Sequence, residues 1–295
     1  MGVITSQRIN QYYEQYRSTE IIFSREILEI LRVDPRQIFI KCSGAQWACI
    51  INSVSLQSAK IIIGTKGGAF AAIQKIGTPV SIRFYFVDSY GKPMILFVNA
   101  RVVEINPYMD STNLAVVTLE FAGKPPDDLI VLLGTLLDAK TNYLRRSEER
   151  ILISPESMSR LSLQKKESFV IIDNAPRNCI LRDISFRGAK ALMMGNPELV
   201  KNKMTILRMI FDDPYEVYNI EGKVVFSESI EGRQDLVSFS MQFNEESIPL
   251  QYKMRINSYL VSHHKKMLDN QAKFFAENSE KIPEIPEDKS SEPVA

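Results

Sequence analysis

The feature that most constrains the fold of this chain is an internal repeat. Adding 130 to the residue number takes Ile21 to Ile151 and Leu31 to Leu161 without a gap. Farther along the offset falls to 122, where Phe121 matches Phe243, which a shorter loop in the second copy explains. A single long period indicates a duplicated domain rather than a solenoid of stacked units. Further matches at 130 pair Ser24 with Ser154, Glu26 with Glu156, Ala45 with Ala175, Cys49 with Cys179, Ser55 with Ser185 and Lys60 with Lys190.

Each copy contains short β-rich runs that are separated by Gly, Asn, Asp and Pro, a pattern typical of a small barrel. Helical patterns lie within residues 4–31, after the Pro-Pro-Asp-Asp sequence that ends at Asp128, and after Pro249. The predicted fold is mainly β: two tandem six-stranded β-barrels, each with a closing helix, plus N-terminal helices and a C-terminal helix.

The predicted organisation has four parts. Residues 1–138 form the first barrel domain, residues 139–150 a linker, and residues 151–276 the second barrel domain with its C-terminal helix. Residues 277–295 are expected to be a disordered tail, because three prolines lie there among acidic and serine residues.

Composition excludes several classes of function. Thirty-six Lys and Arg against 35 Asp and Glu give a net charge of +1, so no global field attracts nucleic acid or an anionic membrane. Neither a membrane span nor the apolar run of a signal peptide is present, which predicts a cytoplasmic protein. Three cysteines without a CxxC pair and two adjacent histidines predict no metal site, and no catalytic set is evident, so an enzyme is not expected.

Two short motifs in the second copy carry the functional signal. Arg146 and Arg150 form an RxxxR element, and the segment from Asp183 through Ser185 to Gly188 forms a DxSxxG element 33 residues beyond Arg150. Each is weak alone, because paired arginines are common on solvated segments and DxSxxG also fits a polar turn. Their order and their place at the start of a predicted barrel make the combination informative.

Together the motifs resemble the PilZ family over about residues 143–262. The resemblance implies a β-barrel that binds cyclic di-GMP without catalysis, with the ligand contacts at Arg146, Arg150, Asp183, Ser185 and Gly188. In that family an arginine at the position of Arg145 accompanies binding of a stacked ligand dimer.

A degenerate barrel followed by a complete one is similar to the bacterial cyclic di-GMP receptors of spirochaetes, and more loosely to two-domain flagellar-brake proteins. This likeness implies second-messenger control of motility or virulence through ligand-dependent reorientation of the domains and binding of a protein partner, such as flagellar or chemotaxis machinery. No membrane partner and no further cofactor are implied.

The ligand's chemistry fits these residue types. Guanidinium makes paired hydrogen bonds to a guanine O6/N7 edge or to phosphate, which a lysine cannot do. The Asp183 carboxylate can accept from guanine N1 and N2, and the Ser185 hydroxyl can donate to phosphate or base. Gly188 is expected to allow a positive φ and close backbone approach at the turn.

The first copy lacks this chemistry. At the offset of 130, Arg146 faces Tyr16, Arg150 faces Glu20, Asp183 faces Ser53 and Gly188 faces Ser58, although Ser185 still faces Ser55. We therefore expect the first copy to keep the fold and to bind no cyclic di-GMP.

Two alternative functions remain at this stage. Trp47 with the aromatic run Phe84, Tyr85 and Phe86 could stack nucleic-acid bases, although alternating aromatics in strands are usually core residues. A nucleotide-free adaptor is the other alternative, in which Arg146 and Arg150 would only pair with Glu148 and Glu149.

Overall fold

A computed structural model describes residues 5–88, 90–109, 111–146, 148–164 and 168–279, with side chains described as far as residue 270. The first copy comprises α1 (Ser6–Tyr16), β1 (Ile21–Ile22), α2 (Arg25–Ile30), β2 (Phe39–Cys42), β3 (Ala45–Ala48), β4 (Ile50–Val54), β5 (Ser58–Gly64), α3 (Gly68–Ile73), β6 (Pro79–Val87), β7 (Pro93–Pro107), β8 (Leu114–Phe121) and α4 (Asp127–Arg145). The second comprises β9 (Arg150–Leu152), α5 (Pro155–Leu161), β10 (Phe169–Ile172), β11 (Ala175–Ser185), β12 (Gly188–Met194), β13 (Met204–Asp212), β14 (Tyr215–Ile230), β15 (Arg233–Phe243) and α6 (Leu250–Ser279). Among the described residues, no helix is both long and apolar enough to cross a membrane.

The second copy is a closed six-stranded barrel, as predicted. Its strands follow the order β10, β13, β14, β15, β12 and β11, and pairing of β10 with β11 closes the ring. The short strand β9 pairs with β11 outside the ring. The described core of this copy holds Phe186, Phe211 and Phe239 together with Tyr252 of α6, so the helix packs as the predicted closing element.

The first copy is not a closed barrel, which corrects the prediction. Its eight strands form an open sheet in the order β1, β4, β5, β8, β7, β6, β2 and β3. Strand β11 passes from β10 to β12 without a break, whereas its counterpart is divided into β3 and β4, with Cys49 between them. The loop after β5 also carries α3, which packs against β2, β3 and β5 and buries Ala69 and Ile73. In the second copy this loop holds only a single 3₁₀ turn, Pro197–Leu199.

Strand register confirms the duplication. Ile22 pairs with Ser53 across β1 and β4, and Leu152 pairs with Asp183 across β9 and β11, which are the same positions at the offset of 130. A β-bulge recurs between Ile51 and Ser53 and between Leu181 and Asp183. Bulges bend a strand and are common beside functional sites. Ser24 and Ser154 cap the matching helices α2 and α5, because each hydroxyl accepts from the backbone three residues on.

The predicted linker at 139–150 is largely helical, because α4 continues through Arg145. Its last turns are held by buried contacts: Asn142 Nδ2 donates to Asn257 Oδ1 at 2.9 Å, and Asn257 Nδ2 donates to Asp138 Oδ2 at 3.0 Å. Tyr143 lies in the core of the second copy. Helix α4 therefore closes the first copy and enters the core of the second.

The expected disordered tail begins within a helix, since α6 extends to Ser279. The remainder of that predicted tail, residues 280–295, lies outside the described residues.

Candidate functional site

The pairing of β9 with β11 brings the two motifs together. Arg150 lies opposite Ser185 in the ladder, and Arg150 Nη1 donates to Asp183 Oδ1 at 2.6 Å. Asp183 is only 8% exposed, whereas about half of the Arg150 side chain, 47%, is open to solvent. The pair thus combines a recessed carboxylate with an accessible guanidinium at one end of the barrel wall.

The Ser185 hydroxyl holds the turn of the DxSxxG element. Ser185 Oγ accepts from the backbone nitrogen of Arg187 at 3.3 Å and donates to the carbonyl of Gly188 at 3.3 Å. Ser55 makes the same contacts in the first copy: its Oγ accepts from the backbone nitrogen of Gln57 at 3.2 Å and donates to the carbonyl of Ser58 at 3.4 Å. Because the serine keeps this contact in a copy without the charged residues, turn geometry accounts for its presence in both.

Gly188 is required for a different reason from the one expected. Its backbone is not in the left-handed region, but a Cβ built on it would lie 2.5 Å from the carbonyl oxygen of Met241 on β15. Strand β12 therefore approaches β15 so closely that a side chain has no room. The positive φ that was expected for this glycine is absent, and the glycine is needed for the packing of two strands.

We expect Gly188→Ala to destabilise the fold by about 1–3 kcal/mol, because the new methyl group collides with backbone rather than with a mobile side chain. Urea unfolding followed by circular dichroism measures this change. Gly123→Ala is the matched control, since a Cβ there meets nothing within 4 Å. Equal midpoints for the two variants would contradict the packing argument.

Arg145 and Arg146 lie at the end of α4. Arg145 is exposed, and Arg146 ends the helix with its backbone nitrogen donating to the carbonyl of Asn142 at 2.8 Å. The Arg146 side chain contacts α6, with Nη1 at 3.3 Å from His264 Nδ1. His264 Nε2 lies 2.5 Å from Glu149 Oε1. Arg150 is therefore joined to Asp183, whereas Arg146 is joined to the closing helix.

Tyr143 links α4 to the Ser185–Gly188 turn of the DxSxxG element, a contact that the sequence did not indicate. Its ring packs edge-on against Phe186, with centroids 5.8 Å apart, and lies 5.3 Å from the Arg187 guanidinium. Lys253 Nζ of α6 lies 4.1 Å from the ring, and the Tyr143 hydroxyl donates to Glu245 Oε1 at 2.9 Å. Burial, with this hydrogen bond, raises the pKa of Tyr143, so the hydroxyl remains a donor at neutral pH.

The matching positions of the first copy satisfy one another. Glu20 accepts from Ser53 Oγ at 2.5 Å and pairs with Lys60 Nζ at 2.9 Å, and these contacts lower the pKa of Glu20. Tyr16 donates to Asp138 Oδ1 at 3.2 Å. Neither of the two arginine positions of the second copy carries a guanidinium in the first copy. These positions of the first copy therefore cannot make paired hydrogen bonds from a guanidinium to a guanine edge or a phosphate.

Other candidate chemistry is weak in the part of the chain that the structure describes. Phe84 and Phe86 are buried core residues, so they cannot stack bases as the nucleic-acid alternative requires. Burial raises the pKa of both Cys49 and Cys179 to about 12, which keeps these thiols protonated and unreactive. Over the same described ranges, no group of His, Cys, Asp or Glu is placed to hold a metal ion.

Comparison with known proteins identifies both copies. Residues 7–140 match the PilZN3 domain, and residues 144–262 match the PilZ domain. A protein of Treponema denticola named "Cyclic di-GMP binding protein" is 44% identical over 261 residues, which cover 88% of this chain and 83% of the relative.

Among solved structures, PlzA of Borreliella burgdorferi in complex with c-di-GMP is 24% identical, with a TM-score of 0.38, over 86% of this chain and 98% of that one. YcgR of Escherichia coli in complex with c-di-GMP is 13% identical, with a TM-score of 0.30, over 84% and 92% of the two chains. The tandem domain matches and the long alignment with the Treponema protein show that the chain belongs to the PilZ family, with a PilZN3 domain followed by a PilZ domain.

Proposed function

We propose that this protein is a non-enzymatic cyclic di-GMP receptor whose ligand is held by the second copy. The observation that carries the proposal is the 2.6 Å pair of Arg150 and Asp183 at the end of the barrel wall, with Arg146 four residues before Arg150. The name of the Treponema relative supports the same ligand.

The chemistry of the pair suits a guanine nucleotide with two phosphates. Arg150 keeps further N–H donors besides the one that binds Asp183, and these suit the O6/N7 edge of guanine or a phosphate. The second carboxylate oxygen of Asp183 is the group that we assign to guanine N1 and N2. Asp183 thus holds Arg150 in place and reads the base at the same time.

The remaining motif residues act less directly. In this proposal Ser185 and Gly188 shape the turn that presents Asp183, and Arg145 and Arg146 supply charge from the end of α4. Exposed Arg145 suits a second, stacked ligand molecule, so a binding stoichiometry of two ligands per chain would support its assignment.

Competition binding tests the ligand assignment. Labelled cyclic di-GMP on the full chain should be displaced by unlabelled cyclic di-GMP, and an excess of GTP or cyclic di-AMP should leave it bound. Equal displacement by all three nucleotides would indicate an unspecific anion site. Tight oligonucleotide binding with a steep salt dependence would instead support the nucleic-acid alternative.

We also propose that ligand binding is transmitted to the first copy through α4, which changes affinity for a protein partner in motility or virulence control. The contacts of Tyr143 with Phe186 and Arg187 support this route, because they join the end of α4 to the Ser185–Gly188 turn. A ligand shifts such an equilibrium only by its differential affinity, typically about 1–3 kcal/mol for coupled sites.

Saturating cyclic di-GMP should therefore slow amide exchange across residues 139–152 and change the small-angle scattering profile. Hydrogen exchange with mass spectrometry and scattering on the full chain measure the two effects. Tyr143→Leu, which keeps a buried apolar side chain, should reduce the exchange effect. Identical exchange and scattering with and without ligand would show that binding is not transmitted.

A further inference from the structure

The contact between Arg146 and α6 has a counterpart in the first copy. Pro126 and Pro249 directly precede the two closing helices, α4 and α6. Tyr16, the counterpart of Arg146, donates to Asp138 Oδ1 of α4 at 3.2 Å. In both copies, therefore, the first motif position is tied to the closing helix.

In the second copy the contact with the closing helix is made by the Arg146 guanidinium, the group that the proposed function assigns to the nucleotide. A neutral imidazole has one N–H donor and one nitrogen acceptor. With the proton on Nε2, His264 donates to Glu149 Oε1 at 2.5 Å and accepts from Arg146 Nη1 through Nδ1 at 3.3 Å. Guanine N7 is an acceptor of the same kind, a ring nitrogen with an in-plane lone pair. His264 thus binds Arg146 as a guanine edge would.

We infer that His264 is an internal competitor of cyclic di-GMP for Arg146 and so limits the affinity of the site. This inference rests on the proposed function. The N–H of Arg146 Nη1 that donates to His264 cannot at the same time donate to ligand, so a ligand contact that uses this N–H must break the contact with His264. The other N–H groups of Arg146 stay available. Removing the imidazole should tighten binding by about three- to tenfold, the equivalent of one competing hydrogen bond.

Other charged groups surround this part of α6. His263 stacks on Tyr259 and lies 3.5 Å from Arg160 Nη1 of α5, and Lys266 pairs with Glu156 at 2.9 Å. His263 contacts α5 rather than the RxxxR segment. It therefore provides a matched control for the removal of an imidazole.

The test is a calorimetric titration of the full chain with cyclic di-GMP. His264→Ala should bind more tightly than wild type, whereas His263→Ala should keep wild-type affinity. Circular dichroism checks that both variants fold.

Each outcome is decisive. Equal or weaker binding by His264→Ala would overturn the competition while leaving cyclic di-GMP as the ligand. A folded wild type that binds no cyclic di-GMP would overturn the proposed function and this inference together.

Discussion

Arg150→Ala and Asp183→Ala should each weaken cyclic di-GMP binding by at least about 2 kcal/mol, which is about 30-fold. The two side chains form one unit through their 2.6 Å contact, so losing either removes a ligand contact and misplaces the other residue. Loss of Arg150 also leaves the recessed Asp183 carboxylate without its cation. Arg146→Ala should weaken binding by a similar amount, because it removes the second guanidinium.

Arg177→Ala is the control for these variants. It removes the same charge from an exposed position at the start of β11, away from the turn, and should bind with wild-type affinity. Calorimetry gives the affinities, and circular dichroism shows whether each variant is folded. Wild-type affinity in Arg146→Ala, Arg150→Ala and Asp183→Ala alike would eliminate this site.

Tyr252→Ala should destabilise the second copy by about 3–5 kcal/mol, the cost of emptying a buried aromatic position. Tyr252 is fully buried on α6 and packs edge-on against Tyr218 and Phe243, with centroids 5.8 and 6.1 Å apart. Its hydroxyl donates to the carbonyl of Ser185 at 2.8 Å. The residue thus joins the closing helix to the Ser185–Gly188 turn.

Tyr252→Phe separates these contributions. It keeps the ring and leaves the Ser185 carbonyl unpaired, so a loss of about 1–3 kcal/mol is expected. Urea unfolding of both variants measures the costs. A Tyr252→Ala variant as stable as wild type would show that α6 does not close the barrel as described.

The internal repeat made much of the fold predictable. The offset of 130 between matching residues of the sequence reappears in the strand register. Ile22 pairs with Ser53 in the first copy, and Leu152 pairs with Asp183 in the second. The same register brings Arg150 to Asp183 across 33 residues of sequence. Duplication therefore carried information on tertiary contacts, because equal spacing in both copies implies equal pairing.

The open sheet of the first copy could not be predicted in this way. Similar residues surround Cys49 and Cys179. In the second copy they form one continuous strand, β11, whereas in the first copy they form two strands, β3 and β4. The difference depends on the longer loop after β5 and on how α3 packs, with Trp47 Nε1 lying only 2.9 Å from where a Cβ on Gly68 would be. Packing of this kind is not encoded in strand periodicity.

Contacts between the copies were also beyond the sequence pattern. The sequence pattern predicted a linker at residues 139–150. In the structure Asn142 and Tyr143 continue α4 and make buried contacts with the second copy. No motif of the sequence placed His264 beside Arg146. Such contacts depend on how α4 and α6 pack, which one sequence does not specify.

A calorimetric titration of the full chain with cyclic di-GMP tests the central claim most directly, namely that the second copy alone binds the nucleotide. The account predicts saturable binding that Arg150→Ala largely abolishes. It also predicts that Glu20→Ala, at the matching position of the first copy, leaves binding unchanged. No saturable binding by the folded wild type, or binding lost in Glu20→Ala and retained in Arg150→Ala, would contradict it.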